Sequence, residues 1–226
     1  MTEKKLVIVG DSALAEIAFE YFTHDSPYEV VAFAVERAYL KRDTLFDLPV
    51  VALEDLPARF APADHDVFVA VAYGQLNRLR ARLLRAAKEM GYRPASYVSS
   101  RAFVWRNVSL GEHCFVMENN VVQPFVRIGD NVVLWSGNHI GHHSVIGDNV
   151  FISSHVVVSG FSTVGANSFL GVNSTMANNL TLGRDCWVGP NVTLMGDTPD
   201  GTLYPAASGE PSKVSAPRFF KVKDPS

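Results

Sequence analysis

Aliphatic residues recur at every sixth position between residues 104 and 194 of this 226-residue chain. The run has no slip, although only 47% of the chain is hydrophobic. The positions are Val104, Leu110, Val116, Val122, Ile128, Leu134, Ile140, Ile146, Ile152, Val158, Val164, Leu170, Met176, Leu182, Val188 and Leu194. Glycine often follows the aliphatic residue, and the residue two positions before it is mostly small or β-branched. Such a short period indicates stacked units that each bury an apolar residue against the next.

A period of six matches neither an α-helix nor an alternating strand. It fits a three-sided coil with one hexad on each side and therefore eighteen residues per turn. The aliphatic residue and the small residue two positions earlier then point inward, and glycine helps the corner to turn. The pattern resembles the hexapeptide repeat of left-handed parallel β-helices, and this resemblance implies the hand of the coil. Coils spaced about 4.8 Å apart would make a prism roughly 25 Å long.

The first part of the chain has a different pattern, in which short apolar runs alternate with amphipathic segments. We expect strands at residues 6–9, 28–34 and 66–71, and helices at 13–22 and 76–90. Strands that alternate with helices indicate a parallel α/β sheet. The expected domains are a small Rossmann-like sugar-nucleotide-binding domain (1–97), the β-helix (98–196) and an extended C-terminal tail (197–226).

Ligands of such sheets bind beyond the carboxyl ends of the strands. The loops expected there contain Gly10, Asp11, Ser12, Glu36, Tyr73 and Gly74. Backbone N–H groups at Gly10 could hold a phosphate, and Glu36 could accept a hydrogen bond from a ribose or a base. The second and third glycines of a dinucleotide fingerprint are missing, so an NAD site is not expected. A packed domain whose loops bind nothing is the alternative.

Charge and cysteine content narrow the class of protein. The net charge is −3 with 19% charged residues, which gives no reason to expect nucleic-acid binding. Cys114 and Cys186 both occupy the inward small position, four turns apart and too distant for a disulfide. Two unpaired cysteines fit a reducing cytoplasm. The apolar run at residues 6–9 is too short for a signal peptide or a membrane span, so no membrane insertion is expected.

The residues just before the inward aliphatics should point outward, and sorting them by eighteen separates three faces. One face is an apolar column formed by Phe115, Val133, Phe151, Phe169 and Trp187. An apolar stripe of this size would be a liability on an exposed surface. We therefore expect it to be buried against another subunit of a homotrimer, with burial under the C-terminal tail as the alternative.

Four histidines, His139, His142, His143 and His155, lie within seventeen residues. They could be surface or interface residues. A metal site would need ligands that converge on one point, but no histidine lies two coils away from these and no acidic companion is evident. Alternatively, one of them is a general base, because imidazole titrates near neutrality and can take a proton from an attacking amine or hydroxyl.

The segment from Trp135 to Asp148, Trp-Ser-Gly-Asn-His-Ile-Gly-His-His-Ser-Val-Ile-Gly-Asp, resembles the catalytic coil of a bacterial sugar acetyltransferase family. This family includes the sialic-acid O-acetyltransferases and the nucleotide-aminosugar N-acetyltransferases, and its domain order is similar to that of the chain. The resemblance implies that His142 is the base. His143 stands where the family has an acidic residue that orients the imidazole, and Asp148 or Glu118 are candidates to replace that residue.

The resemblance also implies where the substrates bind. Acetyl-CoA would lie in a groove between two prisms, in contact with Gly160 and, further along, Val172 and Pro190. The nucleotide of the sugar would be held by the N-terminal loops named above, and His139 and His155 would complete the substrate site.

The function that follows is direct transfer of an acetyl group from acetyl-CoA to an amino group of a nucleotide-linked sugar, in surface-glycan biosynthesis. No metal and no covalent enzyme intermediate are expected, and a backbone N–H near Gly160 would stabilise the oxyanion. The alternatives are O-acetylation of a sugar hydroxyl, a non-catalytic sugar-nucleotide-binding protein and a metal-dependent hydratase. The missing acidic partner favours the amine, which asks less of the base. The sequence leaves the sugar, its nucleotide and the acyl length open.

Overall fold

The computed structural model describes residues 4–206 and 211–222. The N-terminal elements are β1 (Lys4–Val9), α1 (Ala13–His24), β2 (Tyr28–Val35), β3 (Thr44–Leu45), β4 (Leu48–Ala52), α2 (Leu56–Arg59), β5 (His65–Val69), α3 (Arg78–Glu89) and β6 (Arg93–Pro94). The two-residue strands that follow are β7 (Tyr97–Val98), β8 (Phe103–Val104), β9 (Ser109–Leu110), β10 (Phe115–Val116), β11 (Val121–Val122), β12 (Arg127–Ile128), β13 (Val133–Leu134), β14 (His139–Ile140), β15 (Val145–Ile146), β16 (Phe151–Ile152), β17 (Val157–Val158), β18 (Thr163–Val164), β19 (Phe169–Leu170), β20 (Thr175–Met176), β21 (Thr181–Leu182), β22 (Trp187–Val188), β23 (Thr193–Leu194) and β24 (Leu203–Tyr204). A short helix, α4 (Ala216–Phe219), comes last.

The N-terminal domain is a six-stranded sheet in the order β3-β4-β2-β1-β5-β6, parallel except for the β3–β4 pair. Alternate residues of β1 pack on opposite faces. Leu6 and Ile8 join the cluster that contains α1 residues, and Val7 and Val9 join the cluster that contains α3 residues. A parallel strand covered on both faces must be apolar throughout, which explains the uninterrupted run at residues 6–9. The expected Rossmann-like α/β domain is confirmed.

Three parallel sheets form the second domain, and neighbouring strands pair residues eighteen positions apart, as in Phe115 with Val133. The expected left-handed parallel β-helix is confirmed. Its interior is a single cluster that contains the inward aliphatic residues together with Cys114 and Cys186, which are free thiols. Burial raises the pKa of the Cys114 thiol to about 11, so its thiolate is not available as a nucleophile near neutral pH.

The corners of the coil differ from the expectation for glycine. The left-handed conformation falls on the third residue after the inward aliphatics from Leu110 to Val188, as at Asn119 (φ 58°) and Asn149 (φ 60°), and not on the glycine that follows directly. A Cβ on Gly141 would lie 2.5 Å from the backbone nitrogen of Gly160 in the next coil. The repeated glycine therefore lets successive coils approach closely, and asparagine, which tolerates this conformation, occupies half of these corners.

The β-helix continues past the predicted boundary at residue 196. β24 pairs in parallel with β22, and Thr198 bridges to Leu182, so the polypeptide closes the last coil before leaving the prism. Residues 211–222, including α4, are exposed. The rest of the predicted tail, residues 207–210 and 223–226, lies outside the described residues.

The apolar column on the prism is covered by the N-terminal domain of the same chain, so the prediction that another subunit covers it is wrong. The ring centroids of Phe115 and Phe68 lie 5.0 Å apart, and Tyr73 contacts Phe151, Phe169 and Trp187. The N-terminal sheet and the prism share one apolar cluster through this column. Both domains carry an apolar face that water would penalise, and burying the two faces together removes both costs.

A buried polar network fixes the two domains to each other. The fully buried Arg80 donates from Nε to Asn131 Oδ1 (3.0 Å) and from Nη2 to the Asn131 carbonyl (3.0 Å). His113 accepts from the Val69 N–H through Nε2 (2.7 Å) and pairs through Nδ1 with Asn131 Oδ1 (2.8 Å). Burial lowers the pKa of Arg80 to about 9 and that of His113 to about 3. Because these polar atoms are satisfied only in this arrangement, they specify one relative orientation of the domains.

Candidate active site

The site begins at the corner between β14 and β15, where His142 and His143 are both exposed. The His142 ring lies over Gly160 of the next coil, since a Cβ built on that glycine would be 2.9 Å from both Cε1 and Nε2. The Gln123 side chain accepts a hydrogen bond from the His142 backbone N–H (2.9 Å) and the Phe161 N–H donates to the His142 carbonyl (2.9 Å). Both coils next to His142 therefore hold its backbone, while its ring lies against a residue without a side chain.

The partner of His142 is His143, because their Nδ1 atoms are 3.2 Å apart. Asp148 and Glu118, the candidates for an acidic partner, are engaged elsewhere. Asp148 Oδ1 accepts from the Asp130 N–H (2.9 Å), and Glu118 accepts from the Tyr21 hydroxyl (2.5 Å). The expectation that one of them orients the imidazole is therefore wrong for this chain, since the coil geometry directs both carboxylates to other corners.

His143 itself is held between two phenyl rings. The ring centroids of Phe125 and Phe161 lie 4.6 Å and 4.7 Å from the imidazole centroid, in stacked orientation. Gln123, Phe125 and Phe161 were not among the sequence-based candidates. Phe125 and Phe161 each lie eighteen residues from His143, so sorting the corner positions by eighteen would have found them.

The Gly160 N–H is a candidate oxyanion donor. Within residues 4–206 and 211–222 it donates to no acceptor, whereas the corresponding N–H of His142 is bonded to Gln123. Val172 and Pro190, the other proposed CoA contacts, lie at a different corner of the prism. It is the corner between the sheet that contains β22 and the sheet that contains β23. One side of the prism separates Gly160 from Val172 and Pro190. A side of six residues is about 20 Å long at 3.3 Å per residue. A single chain therefore does not bring all three CoA contacts together.

The two remaining histidines lie away from the His142 corner. His139 projects half-buried from β14 in the middle of the prism side, and His155 stands exposed at the opposite corner, packed over Gly137. Among the described residues, no three His, Cys, Asp or Glu side chains are grouped so that they could hold a metal ion.

The N-terminal domain contains a pocket of about 200 Å³ at the carboxyl ends of β1 and β2. Of the predicted substrate residues it is lined by Gly10, Asp11, Ser12 and Glu36. Arg82 was not among the candidates, yet its guanidinium donates to both oxygens of Glu36 (2.8 and 2.9 Å) and lowers the pKa of that carboxyl. Tyr73 lies on the aromatic column and not in the pocket, and the adjacent Gly74 is exposed.

None of the helices in the described residues combines the length and the apolar character that crossing a membrane requires.

Two family models match the prism. The bacterial transferase hexapeptide family (six repeats) matches residues 107–142, and the hexapeptide repeat of succinyl-transferase matches residues 163–195. Comparison with curated protein sequences finds no match.

Several solved structures are similar over both domains. Perosamine N-acetyltransferase from Caulobacter crescentus, a histidine-to-asparagine variant in complex with CoA and GDP-perosamine, is 25% identical with a TM-score of 0.82, covering 89% of this chain and 93% of that chain. The acetyltransferase domain of PglB from Neisseria gonorrhoeae is 23% identical with a TM-score of 0.80, covering 88% and 95%. WeeI from Acinetobacter baumannii is 17% identical with a TM-score of 0.61, covering 89% and 96%. The chain thus contains the hexapeptide repeat and shares its two-domain architecture with these solved structures.

Proposed function

We propose that the chain is an acyl-CoA-dependent acetyltransferase that acetylates an amino group of a nucleotide-linked sugar. The observation that carries the proposal is the His142 corner, where an exposed imidazole has its Nδ1 hydrogen-bonded to His143 and its Nε2 beside Gly160. The similarity to an N-acetyltransferase that binds CoA and GDP-perosamine supports the same substrate classes here.

In the proposed reaction His142 is the general base, and its tautomer follows from the hydrogen bond. If Nδ1 of His142 carries the proton and donates to His143, Nε2 has a free lone pair. The sugar amine attacks the thioester carbonyl, and Nε2 takes the proton that the amine loses. The resulting imidazolium then gives this proton to the CoA thiolate as the C–S bond breaks, so the base is restored at the end of each turnover.

Gly160 has two roles in this scheme. Its missing side chain leaves room for the imidazole. Its N–H, which meets no acceptor in the described part of the chain, can donate to the oxygen that becomes negative during attack. No enzyme nucleophile is needed, which agrees with the burial of both cysteine side chains inside the prism.

The nucleotide of the sugar is proposed to occupy the N-terminal pocket. The Gly10 N–H, expected to hold a phosphate, donates instead to the Ala34 carbonyl (2.8 Å), so the donors proposed for a phosphate are the first N–H groups of α1. The Glu36–Arg82 pair at the rim offers both an acceptor and donors. Tyr73 and Gly74 flank the route from this pocket to the prism in our proposal, although neither lines the pocket.

The acetyl-CoA site is proposed to be completed by a second copy in a homotrimer, because Gly160 and the pair Val172 and Pro190 lie on different corners of one prism. The prism side that ends at the His142 corner carries exposed apolar side chains that a neighbouring copy would cover. They are Phe103, Phe125, Val157 and Phe161. In this arrangement His139 and His155 face the groove between copies. We expect the protein to act in the cytoplasm, where acetyl-CoA is available.

An amine is preferred over a hydroxyl as the acceptor for two reasons. The perosamine enzyme to which the chain is similar is an N-acetyltransferase. In addition, the His142 partner is an imidazole and not a carboxylate, and a weaker base suffices for an amine, which is already nucleophilic when deprotonated.

The test is turnover of acetyl-CoA with a panel of nucleotide-linked amino sugars and their hydroxyl counterparts. We expect acetylation of the amine and a loss of about 10²–10⁴-fold in kcat in His142→Ala. His24→Ala, which removes another exposed histidine at the end of α1, should leave kcat unchanged. Native turnover in His142→Ala would remove His142 as the base, transfer only to hydroxyl acceptors would reverse the preference, and binding without turnover would indicate a binding protein.

A further inference from the structure

His143 occupies a column of aromatic residues at one corner of the prism. Phe125, His143 and Phe161 stand at the same position of three successive coils, each in the left-handed conformation (φ 66°, 60° and 58°). The imidazole plane is inclined by only 26° and 18° to the two phenyl planes. The ring is thus sandwiched face to face from above and below, which fixes its orientation although the corner is exposed.

The sandwich directs one edge of the imidazole toward His142. The two Nδ1 atoms are 3.2 Å apart, and the His142 ring stands perpendicular to His143 and to Phe161. No carboxylate bonds to either imidazole in the described part of the chain. The charged group that shares a surface with His143 is Arg127, an exposed guanidinium that lines the same shallow pocket.

We propose that His143 is a positioning residue that accepts the Nδ1–H of His142, and that the faces of Phe125 and Phe161 stabilise the positive charge this pair acquires during catalysis. The inference rests on the proposed function of His142 as the base. A phenyl face carries negative charge density and attracts a cation, so two faces can partly replace a carboxylate.

The histidine pair gains one proton during attack and loses it again when CoA leaves. Before attack both imidazoles are neutral, with protons on Nδ1 of His142 and Nε2 of His143. Nε2 of His142 takes one proton from the substrate nitrogen, and the pair then carries one positive charge, shared through the Nδ1–H···Nδ1 bond and facing the phenyl rings. The same proton leaves to the CoA thiolate, so the pair returns to its starting state.

The expected effects follow from the strength of such contacts. One cation–π contact at an exposed site corresponds to about a 2- to 5-fold change in an equilibrium constant. Phe125→Leu and Phe161→Leu should each lower kcat by about that factor. Each should also move the acidic limb of the kcat/KM profile to lower pH by about 0.3–0.7 unit, since the charged pair becomes harder to form. Phe46→Leu, a matched control in which an exposed ring is stacked on Phe19, should change neither quantity.

A second pair of variants separates positioning from folding. His143→Ala removes the acceptor and should lower kcat about tenfold or more, with the KM for acetyl-CoA unchanged. His143→Glu restores an acceptor without a ring to stack, so it should recover most of the lost kcat. In the His143→Glu background, Phe125→Leu should no longer move the pH profile, whereas a merely structural role of Phe125 would persist there.

The deciding experiment combines these pH profiles with ¹⁵N-histidine NMR of the full-length protein without substrate, after thermal unfolding has shown that each variant folds. We expect His142 protonated at Nδ1 and His143 at Nε2. The opposite tautomers, or Phe variants with native pH profiles, would overturn the proposal. Wild-type protein that turns over no acetyl-CoA would instead overturn the proposed function, and the NMR spectra would still show whether the histidine pair exists as described.

Discussion

Replacing Gly160 by alanine tests the geometry of the site most directly. The added Cβ would lie 2.9 Å from Cε1 and Nε2 of His142, and 3.3 Å from Nδ1. Normal contacts between such atoms are about 3.5–4.0 Å, so the imidazole must retreat by roughly half an ångström or more. The Gly160 backbone is not in the left-handed region, so alanine fits its conformation and the N–H is retained. The substitution therefore displaces the base without removing the oxyanion donor.

A displacement of about 1 Å of a reacting group can cost on the order of 10²-fold in rate. We expect kcat of Gly160→Ala to fall about 10- to 100-fold, with little change in the midpoint of thermal unfolding. The assay is steady-state turnover of acetyl-CoA and the amino sugar, with KM measured for both. Gly196→Ala is the matched control, because its Cβ would meet nothing within 4 Å. An unchanged kcat in Gly160→Ala, or an equal loss in Gly196→Ala, would refute the placement of His142 over Gly160.

Three further predictions concern stability, substrate binding and assembly. The folded pKa of His113, about 3, lies below its usual value of 6.5, so the unfolded chain binds the extra proton between these values. The free energy of unfolding should therefore fall with decreasing pH across that window, by at most about 1.4 kcal/mol per pH unit. Urea unfolding at several pH values should show a weaker dependence of this free energy on pH in His113→Asn. Glu36→Gln should raise the KM for the nucleotide sugar about tenfold but not the KM for acetyl-CoA, because a charged hydrogen-bond acceptor is lost. Asp55→Asn, at a residue outside the pocket, is the control. Equal effects of the two substitutions would contradict the assignment of Glu36 to the nucleotide site. Analytical ultracentrifugation should show a homotrimer of 24.8 kDa chains. Phe103→Glu should dissociate the trimer and abolish turnover. An active monomer would contradict a CoA groove shared between two copies.

The six-residue register could be extended from fold to site only in part. It puts residue 160 one coil beyond residue 142, and the resemblance gave each of them a role. The structure has His142 and Gly160 in contact. Asp148 and Glu118, the candidates for the acidic partner, bond elsewhere, because spacing along the coil does not say which backbone N–H or hydroxyl a carboxylate meets. The stacking of His143 between Phe125 and Phe161 follows from the eighteen-residue register, but only the three-dimensional structure gives the tilt of the rings and their distances.

The sequence by itself determined which side chains point into the prism and which point out, since a strict period of six leaves one solution for a three-sided coil. That is why the apolar interior and the inward cysteines could be predicted. The parallel N-terminal sheet could be predicted for another reason, because apolar strands alternate with amphipathic helices there. The tertiary structure decided what each outward face meets. Phe115 and Phe151 are apolar and outward in any arrangement, but a pattern does not distinguish a neighbouring copy from the chain's own N-terminal domain. Contact between residues far apart in sequence, as between Tyr73 and Trp187 or Arg80 and Asn131, depends on the shapes of two folded surfaces. These shapes exist only after each domain has packed its own core.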